Sequence, residues 1–336
     1  MTIKDIARLS GYSLGTVSRV LNNHPDVSET ARRRVLEVVK EQGFEPNSNA
    51  RHLKMRNPSS VAVLVKGSQN LLFLDILERI QARFELSGEE VYVAYLDEDE
   101  DEVKYAISLS KQRRPKGFLF LGGDMEFFKR EFDQIDVPCV LLTNNAESLG
   151  AGNLSSFSTD DGTAAEEVMD YLYSCGHENI GVIGGNLSID QISYGRLKGV
   201  KRSAKNHGQS FELGKQYEPC RFSMAEGYEA AKRLLERNPG ITALFALGDV
   251  IALGAMRAAA DMGLSIPGDI SIVGFDGTAS SEYSIPRLTT VKQDTEQLAD
   301  RGVRTLLQSI HYELPTVHEY VPYKLIKRES VAELSA

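Results

Sequence analysis

The sequence predicts an α/β protein in three parts: a small head built on a helix-turn-helix, a short linking helix, and a bilobed body of two doubly wound parallel sheets. Three observations predict this. Three short apolar-periodic segments lie before Gly43, and Gly11 separates the first two. From Ser60 onward, β-branched runs alternate with amphipathic stretches in two successive series. The charge is also divided: ten basic and six acidic residues precede position 58, leaving 28 basic and 41 acidic residues for the rest of the 336. Within a net charge of −9, a basic head on an acidic body suits a polyanionic partner for the head alone.

Length favours two or three domains. An apolar content of 42% with 25% charged residues fits a folded globular chain, not a disordered one. No apolar run is long enough to span a bilayer, and the opening MTIKDIARLS lacks an apolar signal core, so a cytoplasmic location without membrane contact is expected. Cys139, Cys175 and Cys220 are far apart and are expected to be buried apolar fillers. His24, His52, His177, His207, His311 and His318 show no metal spacing, and the motifs GxGxxG, GxxxxGK(S/T), GxSxG and HExxH are absent. No metal, no cofactor and no enzymatic activity are therefore expected.

In the head, Thr2-Ile3-Lys4-Asp5 fits a capping box, and Ile6, Ala7 and Leu9 supply a short apolar face. Ser13 is placed to cap a second helix whose apolar stripe is Leu14, Val17 and Leu21, with Val20 beside it. A third helix begins near Ser28 and stops at Gly43. Spacing alone leaves a plain three-helix bundle open. The second helix favours a DNA reader, because its other face carries Gly15, Thr16, Ser18, Arg19, Asn22 and Asn23. Hydroxyls and amides suit phosphates, and an arginine suits guanine O6 and N7.

The run IKDIARLSGYSLGTVSRVLN resembles the DNA-binding signature of the LacI/GalR family of bacterial regulators, and PNSNARHLK resembles that family's hinge helix. The likeness extends along nearly the whole chain. It implies base-reading positions at Leu14, Gly15 and Arg19, and phosphate-contacting positions at Thr16, Ser18 and Asn22. Gly15 has no side chain, so the base pair opposite it is expected to be weakly specified. The likeness further implies a hinge at Asn47, Ala50, Leu53 and Lys54, between Pro46 and Pro58, that orders when two protomers pair on DNA. Leu53 would wedge into a central base step from the minor groove, with Lys54 beside it. Leu53→Ala is thus expected to weaken operator binding while leaving the sensor's ligand affinity unchanged; unchanged operator binding in a gel-shift titration would remove the wedge.

The expected boundaries are 1–46 for the head, 47–58 for the hinge and 59–336 for the sensor. The first lobe spans about 59–159 and 290–319, and the second about 160–289 and 320–333. Ligands of open α/β sheets bind at the carboxyl ends of strands, so a cleft between the lobes is expected. The resemblance assigns Phe73, Asp161, Arg196, Phe222, Asp249, Asp276 and Gln293 to the effector. Aromatic, carboxylate, guanidinium and amide groups suit a hydroxyl-rich ligand, and the set leans towards a galactoside-like sugar. A helix-capping role is the alternative for Asp161 and Asp249. Gly248 stands where sugar-binding members carry a polar residue; its lack of a side chain is expected to remove a hydrogen bond and enlarge the cleft.

The expected protein is therefore an allosteric, dimeric repressor of a carbohydrate-utilisation operon. It would bind a palindromic double-stranded operator under the control of a small-molecule effector. No heptad-bearing tail follows KLIKRES, so the family's tetramer-forming extension is not expected. Two other classes share such a body, an exported sugar receptor and an enzyme on a doubly wound sheet. The basic helical head speaks against the first and the missing motifs against the second. A phosphorylated partner protein acting beside the ligand, and the sign of the ligand's effect, stay open.

Overall fold

The protein was analysed as a computed structural model that describes residues 3–21, 27–41, 60–67, 70–185 and 192–334. Asn22 and the expected hinge residues Asn47, Ala50, Leu53 and Lys54 lie outside the described residues. The chain divides into two compact units, Met1–Pro58 and Ser59–Ala336.

The head holds α1 (Ile3–Ser10), α2 (Leu14–Leu21) and α3 (Glu29–Glu41). Gly11 ends α1 in a left-handed conformation, φ 76°, which costs a glycine little. Ser13 caps α2, accepting from the Thr16 amide at 3.1 Å, and Ser28 accepts from Ala31 at 3.3 Å ahead of α3. Ile6, Val17, Val20, Val35 and Val38 form the core. Leu9 departs from its expected inward position and is 44% exposed. The buried position one turn after Ile6 goes to Ser10, whose hydroxyl donates to the Ala7 carbonyl at 3.3 Å.

The first lobe contains β1 (Ser60–Lys66), α4 (Leu71–Ser87), β2 (Glu90–Leu96), α5 (Glu102–Arg113), β3 (Phe118–Leu121), α6 (Met125–Glu131), β4 (Cys139–Leu142) and β5 (Leu154–Ser158). The second contains α7 (Asp161–Ser174), β6 (Ile180–Ile183), α8 (Ile192–Asn206), α9 (Leu213–Gln216), β7 (Tyr217–Glu218), α10 (Met224–Arg237), β8 (Ala243–Ala246), α11 (Asp249–Asp261), β9 (Ser271–Asp276), α12 (Ala279–Tyr283) and β10 (Thr289–Gln293). The chain then returns through α13 (Thr295–His311) and β11 (His318–Tyr320) to the first lobe, and ends with β12 (Tyr323–Ile326) in the second. Strand order is β11-β5-β4-β3-β1-β2 in one sheet and β12-β10-β9-β8-β6-β7 in the other.

Among the described residues, every pairing between these strands is parallel except β10 with β12. That antiparallel edge was not expected. β12 reaches the second sheet from β11 of the first lobe, not by a crossover helix within its own sheet. The return to the first lobe also falls later than the expected position near 290. β10 pairs with β9 and β12 of the second sheet, so the crossing follows Gln293. Each sheet is covered on both faces. In the first lobe, Ile76, Ile80 and Phe84 of α4 pack with Leu298, Val303 and Leu306 of α13. This burial is the main favourable term for such a layered fold.

Candidate functional site

On the head, α2 turns Val17 and Val20 inward and leaves Gly15 and Arg19 exposed, with Thr16 half-buried. The Thr16 hydroxyl lies 2.9 Å from that of Ser13, so it serves the helix cap as well as the outer face. Gly15, Thr16 and Arg19 therefore share the open side of a rigid helix, the arrangement a major-groove reader needs. The side chains of Leu14 and Ser18 are outside the described set.

In the sensor, a cavity of about 490 Å³ lies between the lobes at the carboxyl ends of the strands. Five of the seven expected effector residues line it: Phe73, Arg196, Phe222, Asp276 and Gln293. Phe73 begins the second half-turn of α4, whose start is fixed by Asn70 accepting from the Leu72 amide at 3.0 Å. Arg196 projects from α8 with only 3% of its surface exposed. Its Nε donates to Asp161 Oδ1 at 2.8 Å, its Nη1 to the Leu247 carbonyl at 2.5 Å, and its guanidinium stacks 3.6 Å over Phe275. Asp161 thus supports Arg196 from behind and lines a neighbouring polar pocket with Tyr194 and Lys198. Burial holds its carboxyl above the usual range, with Arg196 opposing. The helix cap that the alternative reading gave Asp161 belongs to Asp160, which accepts from the Thr163 amide at 3.1 Å.

Asp249 is placed elsewhere. It is fully buried and accepts from the Thr278 amide at 2.7 Å, the Thr278 hydroxyl at 3.0 Å and the Thr290 hydroxyl at 2.6 Å. With its acceptors occupied by protein donors and its side chain outside the cavity lining, it braces β10 and the start of α12. Gly248 is not a gap either. A Cβ there would lie 3.0 Å from the Phe222 ring, so the glycine lets that aromatic wall pack close to the backbone.

Asp276 ends β9 at φ 119°, a strained conformation for an aspartate, and Thr143 at the end of β4 has φ 75°. Both line the cavity. Gln293 links the lobe crossings to the ligand side. Its Oε1 accepts from Thr159 at 2.8 Å, and its Nε2 donates to Asp276 Oδ1 at 2.9 Å. Burial pushes the Asp276 carboxyl up to about 8; Arg196 opposes the shift and Asp249 reinforces it. Burial likewise raises Asp249.

The sequence reading missed Lys66, Glu98, Asp124 and Phe127, which also line the cavity. Lys66 donates to Glu102 Oε2 at 2.5 Å, and both are buried. Glu102 Oε1 accepts from the Asp124 amide at 2.5 Å. The available signals were a lysine closing the apolar run SVAVLV and six consecutive acidic residues, Asp97 to Glu102. Every lysine or arginine among the described lining residues is matched by a carboxylate: Lys66 by Glu102, Arg196 by Asp161, Arg221 by Asp97. The floor therefore offers paired donors and acceptors, and the walls offer the apolar faces of Phe73, Phe127 and Phe222. Such a cleft suits an uncharged ligand with several hydroxyls.

The fold and cleft define a class: a helix-turn-helix head followed by a two-lobed binding body. Residues 2–47 match the family model of bacterial regulatory proteins, lacI family, and residues 169–331 match the periplasmic binding protein-like domain. The HTH-type transcriptional regulator MalR of Clostridium butyricum is 35% identical over 336 residues, covering 98% of this chain and 99% of its own. Among solved structures, the transcriptional regulator CelR in complex with cellobiose aligns with a TM-score of 0.71 at 25% identity, over 98% of this chain and 99% of its own. The Lac repressor dimer bound to operator and the anti-inducer ONPF aligns at 0.70 and 26%, over 99% of each chain. The chain belongs to the LacI family of bacterial transcriptional regulators; it is a DNA-binding regulator, not an enzyme. Among the described residues, no helix is long and apolar enough to cross a membrane.

Proposed function

We propose that the protein is a cytoplasmic repressor of a carbohydrate-utilisation operon, binding a palindromic operator as a homodimer and answering to an uncharged sugar held in the cleft. The carrying observation is the cleft floor, where Asp276, Gln293 and Arg196 meet beneath aromatic walls with each lining cation already paired. The names of the similar proteins agree with it: one regulator in complex with cellobiose, and one repressor dimer on its operator.

Residues 1–46 read the DNA through Leu14, Gly15, Thr16, Ser18, Arg19 and Asn22; residues 47–58 form the hinge; the rest senses the ligand. Exposed apolar side chains at Leu74, Tyr95, Tyr283 and Ile285 supply surface for pairing two copies. The test selects duplexes from a randomised pool with the full chain at low ionic strength. Binding to the winners is then measured against neutral mono- and disaccharides, including galactosides, cellobiose and ribose. A palindromic winner whose affinity one sugar changes supports the reading. Failure of every palindromic duplex, with and without sugars, sinks it.

A further inference from the structure

Two segments from opposite lobes meet at the rim of the cleft. From the first lobe comes the acidic loop 97–101 that follows β2; from the second comes the loop 219–223 between β7 and α10. Arg221 Nη2 pairs with Asp97 and reaches Asp99 Oδ2 at 3.6 Å, while its Nε donates to Glu98 Oε2 at 3.5 Å. The other oxygen of Glu98 accepts from the backbone amide of Phe222 at 3.2 Å. Glu98, Asp99, Arg221 and Phe222 all line the cavity. A single first-lobe carboxylate thus grips both the rim cation and the backbone of the second-lobe aromatic wall.

The acidic run explains the rest of the loop. Asp101 caps α5 by accepting from the Lys104 amide at 2.9 Å, Glu102 is spent on Lys66, and Glu100 turns back to accept from the Asp97 amide at 3.3 Å. Asp97, Glu98 and Asp99 are left adjacent on one turn, where they repel each other until a cation arrives. Arg221 is that cation.

We propose that Glu98 is a positioning residue of the effector cleft, joining Arg221 and the Phe222 amide into an electrostatic latch that holds the two lobes together and sets the aromatic wall. The latch is distinct from the lobe-crossing pair Thr159–Gln293. It consists of protein atoms alone and joins the lobes at the edge of the cavity. Arg221 is 47% exposed and Asp97 64%, so salt screens their part of the latch.

The test needs neither effector nor DNA, so its failure leaves the regulator reading standing. Hydrogen exchange at the Phe222 amide is followed in the full chain, for wild type, Glu98→Ala, Arg221→Gln and the double variant. Exchange is expected to quicken about three- to tenfold in each single variant, with no further gain in the double, because both break one charge-assisted unit. Molar salt should quicken exchange in wild type and leave the variants unmoved, an effect that a purely structural role for Glu98 would not show. Arg221→Gln alters an exposed side chain and keeps the fold testable should Glu98→Ala disturb packing. Unchanged exchange in both single variants, or a wild-type rate independent of salt, would overturn the proposal.

Discussion

Arg196→Met is expected to abolish the effector response and to destabilise the sensor by about 3–5 kcal/mol, the usual cost of removing one partner of a buried ion pair. The guanidinium holds three features together: the Asp161 carboxylate at 2.8 Å, the Leu247 carbonyl at 2.5 Å and the Phe275 face at 3.6 Å. Methionine fills comparable volume but supplies no donor. Asp161 is then left buried without its cation, and Asp276 loses the positive charge that opposes its desolvation. Urea unfolding of the full chain measures the stability loss, and sugar titration measures the response. The double variant Arg196→Met with Asp161→Leu separates the two roles. Replacing both charges should restore most of the stability and none of the response. A double variant no more stable than Arg196→Met would show that the ion pair is not what costs the single variant its stability.

The second large effect concerns pH. Burial pushes the Asp276 carboxyl up to about 8 in the folded chain, whereas the unfolded chain releases this proton in the ordinary aspartate range, near 3.8. Between those values the folded state binds more protons, so this group's contribution to stability falls as pH rises through the window and levels off above it. Asp276→Asn keeps an acceptor for Gln293 and removes the ionisation. The variant is expected to be more stable than wild type by several kcal/mol near pH 8, on the order set by a shift of this size, and equal to it near pH 4. Asp249, Asp161 and Glu102, all raised by burial, leave a residual slope in the variant. Sugar affinity should drop about tenfold to a hundredfold above about pH 8, where wild type carries a carboxylate, since a carboxylate accepts more strongly than an amide. Urea midpoints from pH 4 to 8 decide the matter: a variant curve parallel to that of wild type would refute the burial argument.

Local signals were clearest where one short stretch carries its own instructions. Gly11 ends α1 and Ser13 opens α2 in space as they do in sequence, and the β-branched run at Ser60 is a buried strand as its composition implies. β5 was illegible for the opposite reason. LSSFS has no apolar run, yet all five residues are buried. Their hydroxyls are satisfied by distant groups: Ser156 accepts from the Ala146 amide at 3.0 Å and contacts His318 Nδ1 at 2.8 Å, and Ser155 accepts from the Val317 amide at 3.1 Å. Partners 10 to 162 residues away leave no periodic trace. Asp249 shows the same limit at the site: an aspartate after a strand reads as a ligand or a cap, and only the positions of Thr278 and Thr290 make it a brace.

The amino-acid sequence by itself determined the order of parts, the alternation of strands and helices, and the helix α2 with its exposed Arg19. These depend on residues within a few positions of one another, where helix and strand periodicity act. The tertiary structure alone decided which carboxylates reach the cleft and which are consumed by neighbours. It also decided that Gly248 seats Phe222, and that six acidic residues in a row are divided among a cap, a buried lysine, an arginine of the opposite lobe and a backbone amide of their own loop. Charge and hydrogen bonding act through space over a few ångströms, so their outcome depends on groups the chain brings together only when both lobes have folded.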